Sequence, residues 1–325
     1  MTGGNLENSF DPSKPELPDL GRRRILSGGA GILLASAIAS PFLGALTTVK
    51  AVAQTTPEPA PEGGKSPSKL TLQKSSKKVI DPLFAKFLNE KLVYEVNFLS
   101  AFHAADLTVT LRQGLGEEIL AQLEAKSTGV VSLASATKRQ LFKSRLVVRE
   151  IDGTKRLVAT HFSRLSEKGG VVTKTIHHFD YQNRVWAFHK FVNAAKKEGT
   201  SKRIPADVTY YEDFVGFLYN LRAGVYGEVT SGKVIEIRTI PFKGIDRYKI
   251  KVATPEEMKE EESWIAKTPG AVHMGNVEIH EKIMGMKTGN GQILVDDQLV
   301  PLAGRIKDVI AFGDVSVTLV KRGKV

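Results

Sequence analysis

Leu92-Val93-Tyr94-Glu95-Val96-Asn97-Phe98 is the stretch that decides the fold. Leu92, Tyr94, Val96 and Phe98 alternate with Val93, Glu95 and Asn97, the period of a strand that buries one face. Just ahead of it, Asp81-Pro82 has the form of a helix N-cap followed by proline at the first helical position. Phe84, Phe87 and Leu88, at i, i+3 and i+4, predict a short helix ending near Asn89. Downstream the period of two recurs. Leu107, Val109 and Leu111 mark a second strand, and 120–126 a third that also fits a helix. The segment 147–151 stops at Asp152-Gly153, a two-residue hairpin signal, and 157–164 follows it. Gly169-Gly170 marks another turn, after which 171–180 and 184–191 pair across Tyr181-Gln182-Asn183.

One helix stands out in this β pattern. Over 211–224, Phe214, Phe217, Leu218 and Leu221 fall at i, i+3, i+4 and i+7 and form one apolar stripe. Glu212 and Asp213 suit its start, Arg222 its end, and Gly224 can stop it. The stripe predicts a helix that covers one face of the sheet. Tyr219 and Arg222, three residues apart, are placed to line its edge, and with Asp213 they are the candidate ligand or packing positions. Beyond it, 233–238, 241–242 and 248–252 are strand-like, and Thr254-Pro255-Glu256-Glu257 is a capping box that opens a short acidic helix to about Ser263. Strands follow at 275–284, 293–295, 299–302, 304–310 and 313–320, with Asp296-Asp297-Gln298 as a turn. Short strands at regular spacing with little helix between them imply a mainly β (α+β) domain over 80–325. Its architecture is a curled antiparallel sheet or open β-barrel, wrapped around or covered by one or two short helices.

The segment ahead of this domain is an address. Arg22-Arg23-Arg24 precedes a charge-free, Gly/Ala/Ser-rich apolar run over 25–49, and Lys50 and Ala51-Val52-Ala53 close it. Basic block, apolar run and small-x-small site, in that order, read as a signal peptide over 1–53, with Ala51 and Ala53 as the small residues of the cleavage site before Gln54. Arg22, Arg23, Ile25 and Leu26 match the twin-arginine export pattern, which makes the twin-arginine translocase a partner during export. The expected location is the periplasm of a Gram-negative bacterium. The alternative is an inner-membrane anchor through 25–49, since roughly 20 apolar residues span a bilayer. Residues 54–79 are Pro, Gly, Ser and Lys with little to bury, a disordered linker.

Composition narrows the chemistry. The chain of 325 residues has no cysteine, which excludes disulfides, thiolate metal sites, cysteine nucleophiles and lipoprotein acylation. Net charge is +11; residues 1–53 hold five Lys/Arg and four Asp/Glu, so the remainder stands near +10. In an exported protein that charge points to anionic lipid, lipoprotein or polysaccharide rather than nucleic acid. Basic residues crowd 138–156 and 190–203, which also fits two solvated faces. His161, His177, His178 and His189 cluster, but neighbours on a strand face opposite ways, so His177 and His178 do not share a metal site; they are read as surface or cross-strand packing residues. Asp180, Asp207, Asp213, Asp296 and Asp297 show no spacing that singles out a catalytic pair. There is no Gly-x-Ser-x-Gly, no phosphate-cradling glycine loop, and no signature of a flavin, iron–sulfur or molybdenum cofactor.

Three segments carry a resemblance: Leu92-Val93-Tyr94-Glu95-Val96, the helix Asp213-Phe214-Val215-Gly216-Phe217-Leu218-Tyr219-Asn220-Leu221-Arg222, and Asp296-Asp297-Gln298-Leu299-Val300-Pro301 ahead of a final hairpin with Gly313-Asp314-Val315. In this order they resemble the bacterial envelope family known as domain of unknown function 3108, over about residues 85–322. The resemblance implies a curled sheet wrapping a helix, reminiscent of lipoprotein carriers, and brings no catalytic residues. The acidic segment 256–262 departs from the family pattern as an insertion. The function implied is a non-catalytic binding or scaffold protein for a lipid, lipoprotein or anionic glycan of the envelope. The alternatives are a hydrolase of envelope polymers and a structural subunit of an envelope complex. A continuous apolar cavity open to solvent favours the first; convergent polar side chains in a cleft favour the second; a filled barrel with a sticky rim favours the third.

Overall fold

The computed structural model describes residues 80–98, 102–128, 137–242, 245–278, 290–309 and 313–325. The signal segment, its Arg22, Arg23, Ile25, Leu26, Ala51 and Ala53, and the linker lie outside the described residues. Among those described, no helix is long and apolar enough to cross a membrane.

Among the described residues, fourteen strands form one antiparallel sheet, in two meanders. The first runs β1 (Glu90–Phe98), β2 (Phe102–Gln113), β3 (Ile119–Ser127), β4 (Thr137–Ile151), β5 (Thr154–Lys168), β6 (Val171–Asp180), β7 (Val185–Val192) and β8 (Ala195–Arg203). The second runs β9 (Val234–Phe242), β10 (Ile245–Val252), β11 (His273–Glu278), β12 (Asn290–Val295), β13 (Pro301–Val309) and β14 (Gly313–Lys324). The meanders join where β1 pairs with β14, so β8 and β9 are the two ends of the sheet. The sheet is curled rather than closed. One core cluster runs from Phe179 and Leu123 in the first meander to Ile240 and Tyr248 in the second. The helices among the described residues are α1 (Pro82–Ala85), α2 (Phe214–Arg222), α3 (Pro255–Glu260) and α4 (Glu262–Ile265).

The local chemistry explains the elements. In β1 the predicted alternation is met in full: Leu92, Tyr94, Val96 and Phe98 are buried, and the residues between them are not. The hairpin residues Asp152 (φ 51°) and Gly153 (φ 73°) are both left-handed, as are Gly169 and Gly170, the geometry a tight two-residue turn needs. Asp81 caps α1 through Leu83 N, and Thr254 and Glu257 cap each other at the start of α3. Helices α3 and α4 lie on the convex side, where Met258, Trp264 and Ile265 pack on Met274, Leu294 and Ala303. The Arg305 guanidinium sits 4.0 Å from the Trp264 ring centroid and pairs with Glu261, whose carboxyl is pushed down to about 2 against the opposing effect of burial.

The structure departs from the sequence reading in three places. Ala195–Arg203 is a strand, although every residue in it is exposed and no apolar alternation marks it. It is an end strand, and its lysines are what such an edge carries to deter further pairing. The expected strands 299–302 and 304–310 are one, β13. It starts only at Pro301, because Leu299 is left-handed (φ 57°) and the Asp296 carboxylate accepts from Gln298 N and Val300 N in a tight turn. The third difference concerns α2 and defines the site.

Candidate functional site: an apolar cavity under the helix

Helix α2 begins at Asp213, whose carboxylate accepts from Val215 N and Gly216 N at 3.0 Å each. The sequence predicts that its apolar stripe covers the sheet. Instead the helix is buried through another face: Val215, Gly216, Tyr219, Asn220 and Arg222 are buried, while Phe214, Phe217, Leu218 and Leu221 are only half-buried and line a cavity. The reason is polar. Strand β6 pairs with β5 only from His161 onward, so Leu157 and Ala159 have backbone groups without a strand partner on that side. The Asn220 side chain takes both groups of Leu157, accepting from its N–H (2.7 Å) and donating to its carbonyl (2.9 Å). The Tyr181 hydroxyl donates to Ala159 O at 2.9 Å. Leaving such buried groups unpaired would cost about 1–3 kcal/mol each, enough to fix the helix's rotation. Leu146 packs below Gly216, where an added Cβ would come within 3.4 Å of Leu146 Cδ2 and 2.9 Å of Asp213 Oδ2.

Tyr219 and Arg222 therefore do not edge the cavity, as their spacing suggests. They lie on the opposite side of α2 from it. The Arg222 side chain, 1% exposed, forms a two-pronged ion pair with Glu90, 6% exposed, and stacks 4.7 Å from the Phe87 ring centroid. Glu90 is held below its ordinary pKa: burial pushes it up, but the hydrogen bond and charge of Arg222 outweigh that. Burial pushes the Tyr219 hydroxyl well up. The network opens to a polar recess with Lys86, Gln298, Arg322 and Lys324 on its walls.

The cavity lies between the stripe and the concave face of the sheet. Its walls include Tyr94, Leu107, Val109 and Leu123 from β1–β3, Ile237, Tyr248, Ile250 and Val277 from β9–β11, and Ile293 and Val317 from β12 and β14. Space open to water-sized molecules is about 170 Å³, against about 10–15 Å³ in that measure for one water. Part of the room comes from glycine. Gly275 and Gly304 are on the wall, and each pairs with Ile293 between them. An added Cβ at Gly275 would press on Ile293 and Ile250 at 3.1 and 3.2 Å.

The polar part of the wall is small: Glu212, Asp213, Thr239 and His273. Glu212 is buried and accepts from the Asn220 amide and the Tyr226 hydroxyl. Burial pushes its carboxyl up to about 7, although those two hydrogen bonds act the other way. Burial also raises Asp213, against its bonds from Gly216 N and Ser144. Both Glu212 oxygens and Asp213 Oδ1 are occupied with holding the helix and the connector. Sequence reasoning identified Asp213 and missed Glu90, Asn220 and Tyr226. An asparagine in the middle of an otherwise apolar helix was the one available signal for Asn220.

The connector 204–213 ties the sheet's two ends. Ile204 N donates to Arg184 O (2.8 Å), and Tyr211 N donates to the Tyr181 hydroxyl (3.2 Å). On the other side Glu212 N donates to Arg238 O (2.9 Å), and Asp207 pairs with Arg238 at 3.0 Å. The histidines behave as expected for packing residues. His161 and His178 are cross-strand neighbours at 2.7 Å, whereas His177 faces inward, stacked on Trp186, which donates to its Nδ1 at 3.2 Å. No group of three or more His, Asp or Glu suited to a metal occurs among the described residues.

No family model matches the chain, and no curated protein matches it. Among solved structures, it is similar to a β-barrel-like protein of domain of unknown function 1849 from Brucella abortus, at 6% identity and TM-score 0.39, over 74% of this chain and 98% of that one. It is also similar to a protein with a YmcC-like fold from Bacteroides fragilis, described as a candidate exported protein, at 7% identity and TM-score 0.23, over 73% of this chain and 96% of that one.

Proposed function

We propose that this chain is an exported, non-catalytic binding protein of the bacterial envelope, which holds the apolar part of a lipid or lipoprotein in the cavity under α2. The observation that carries the reading is the stripe of Phe214, Phe217, Leu218 and Leu221. Phe214 packs edge-on against Phe142 and Phe162 at one end of the stripe, yet all four residues stay half-buried on the cavity wall, while polar bonds hold the helix's other side. A wall so poor in polar groups is suited to a hydrocarbon chain, whose burial contributes about 0.8 kcal/mol per CH₂. The twin-arginine-type leader and the resemblance to the envelope family support a periplasmic location, and its basic surface suits contact with anionic lipid or glycan. The test is mass spectrometry of material bound to protein purified from the periplasm. Repeated recovery of protein without lipid would overturn the reading. For the export route, replacing Arg22 and Arg23 by Lys should retain the precursor in the cytoplasm; normal export would refute it.

A further inference from the structure

We infer that the cavity selects against anions: it takes long apolar molecules whose buried end is uncharged, such as alcohols, esters or isoprenoids, and rejects free fatty acids, with Glu212 as the selecting residue. This rests on the reading of the cavity as a binding site. Three observations lead to it. First, the wall includes two carboxyl residues, Glu212 and Asp213, and no Lys or Arg among its described residues. Second, a helix N-terminus, the usual backbone site for an anion, does point into this region, but Asp213 already accepts from Val215 N and Gly216 N. Third, the cations near the helix lie off the wall. Arg222 is bound to Glu90 on the far side of α2, and Arg156 donates to the Tyr210 hydroxyl.

An incoming carboxylate would therefore lose its water, find no Lys or Arg on the wall to replace it and only the donors of side chains such as Thr239 and His273, and, at the helix end, sit against Glu212, whose oxygens accept from Asn220 and Tyr226 and offer nothing in return. A hydroxyl or ester loses far less on burial, and a hydroxyl can donate to the Glu212 carboxylate. The carboxyl of Glu212, pushed up by burial, is mostly ionised only above about pH 7, so the selection is expected to be sharpest there.

The experiment displaces a neutral fluorescent naphthylamine from the purified protein at about pH 8, with oleyl alcohol and oleate as competitors. We expect the alcohol to bind at least tenfold more tightly than oleate. In Glu212→Gln we expect oleate to gain relative to the alcohol until the preference falls below about threefold, with an unchanged circular-dichroism melting curve as the check that the variant is folded. If neither competitor nor probe binds the unsubstituted protein, the cavity reading fails. If both competitors bind equally, the selectivity inference alone fails. If the preference exists but Glu212→Gln leaves it unchanged, Glu212 is not its source.

Discussion

Two leucines on either side of α2 should respond in opposite ways to truncation. Leu146, on β4, has no exposed surface and lies under Gly216. Replacing it by Ala removes three carbons from a closed core and leaves a void, at about 2–5 kcal/mol. Leu218 is half-buried on the cavity wall. Its three carbons would be worth about 2.4 kcal/mol if fully buried. Half that, with no new void beside space already open, gives a cost of about 1 kcal/mol for Leu218→Ala. The same lost contact should appear in binding. About 1 kcal/mol is roughly a fivefold loss of affinity for an apolar probe, whereas Leu146→Ala, if folded, should hold the probe nearly unchanged. Urea unfolding followed by tryptophan fluorescence measures the first quantity, and titration with an apolar fluorophore the second. A loss of about 3 kcal/mol or more for Leu218→Ala with probe affinity intact would place the stripe in a filled core and refute the assignment of the cavity.

Other outcomes follow from the same geometry. Arg222→Met should destabilise by up to about 3–5 kcal/mol because it leaves the buried Glu90 carboxylate with only the half-exposed Arg322, at 3.3 Å, as an ion-pair partner; adding Glu90→Leu should recover much of that, and a double-mutant cycle by urea unfolding showing no coupling would contradict the ion pair. His177 should make the protein acid-sensitive. Burial lowers its pKa from 6.5 to about 4, so stability is full above about 6.5, falls as the unfolded chain takes up a proton between about 6.5 and 4, and loses on the order of 3 kcal/mol. His177→Phe should remove that part of the slope, and an unchanged slope would exclude His177 as its source. Gly216→Ala places a Cβ 2.9 Å from Asp213 Oδ2; the clash, about 1–3 kcal/mol, should outweigh the roughly 1 kcal/mol gain in helix propensity, and a higher melting temperature would show that the cap shifts without cost.

The β pattern was legible because a half-buried strand prints its burial as alternation, and β1 shows this plainly. The strand β8 was illegible for the converse reason: with both faces in water, Ala195–Arg203 has nothing to alternate. The helix was legible as a helix, but its rotation was not. Periodicity identified the most apolar side and assigned it to the core, whereas the orientation is set by Asn220 meeting a stretch of β5 that β6 does not reach. That meeting joins residues 63 apart in the chain, and no local pattern carries it. Arg222 likewise finds Glu90 across 132 residues. The cavity exists because those distant polar contacts, not the stripe, decide how α2 sits.

The pairing of β1 with β14 has a consequence for the order in which the molecule can be made. The first and last strands meet in the interior of the sheet, Tyr94 beside Leu319 and Val96 beside Val317. During synthesis the first meander and β9–β13 exist before β14 does, and until it emerges neither β1 nor β13 has its inner neighbour. The seam closes a loop of more than 200 residues, the kind of distant contact that makes β topologies slow to assemble. Folding is thus post-translational in its decisive step, and the growing chain exposes a bare β1 edge until then. A nascent chain in this condition calls for a holding chaperone on the ribosome side, and stalling synthesis before residue 313 should leave β1 open to that chaperone and to protease.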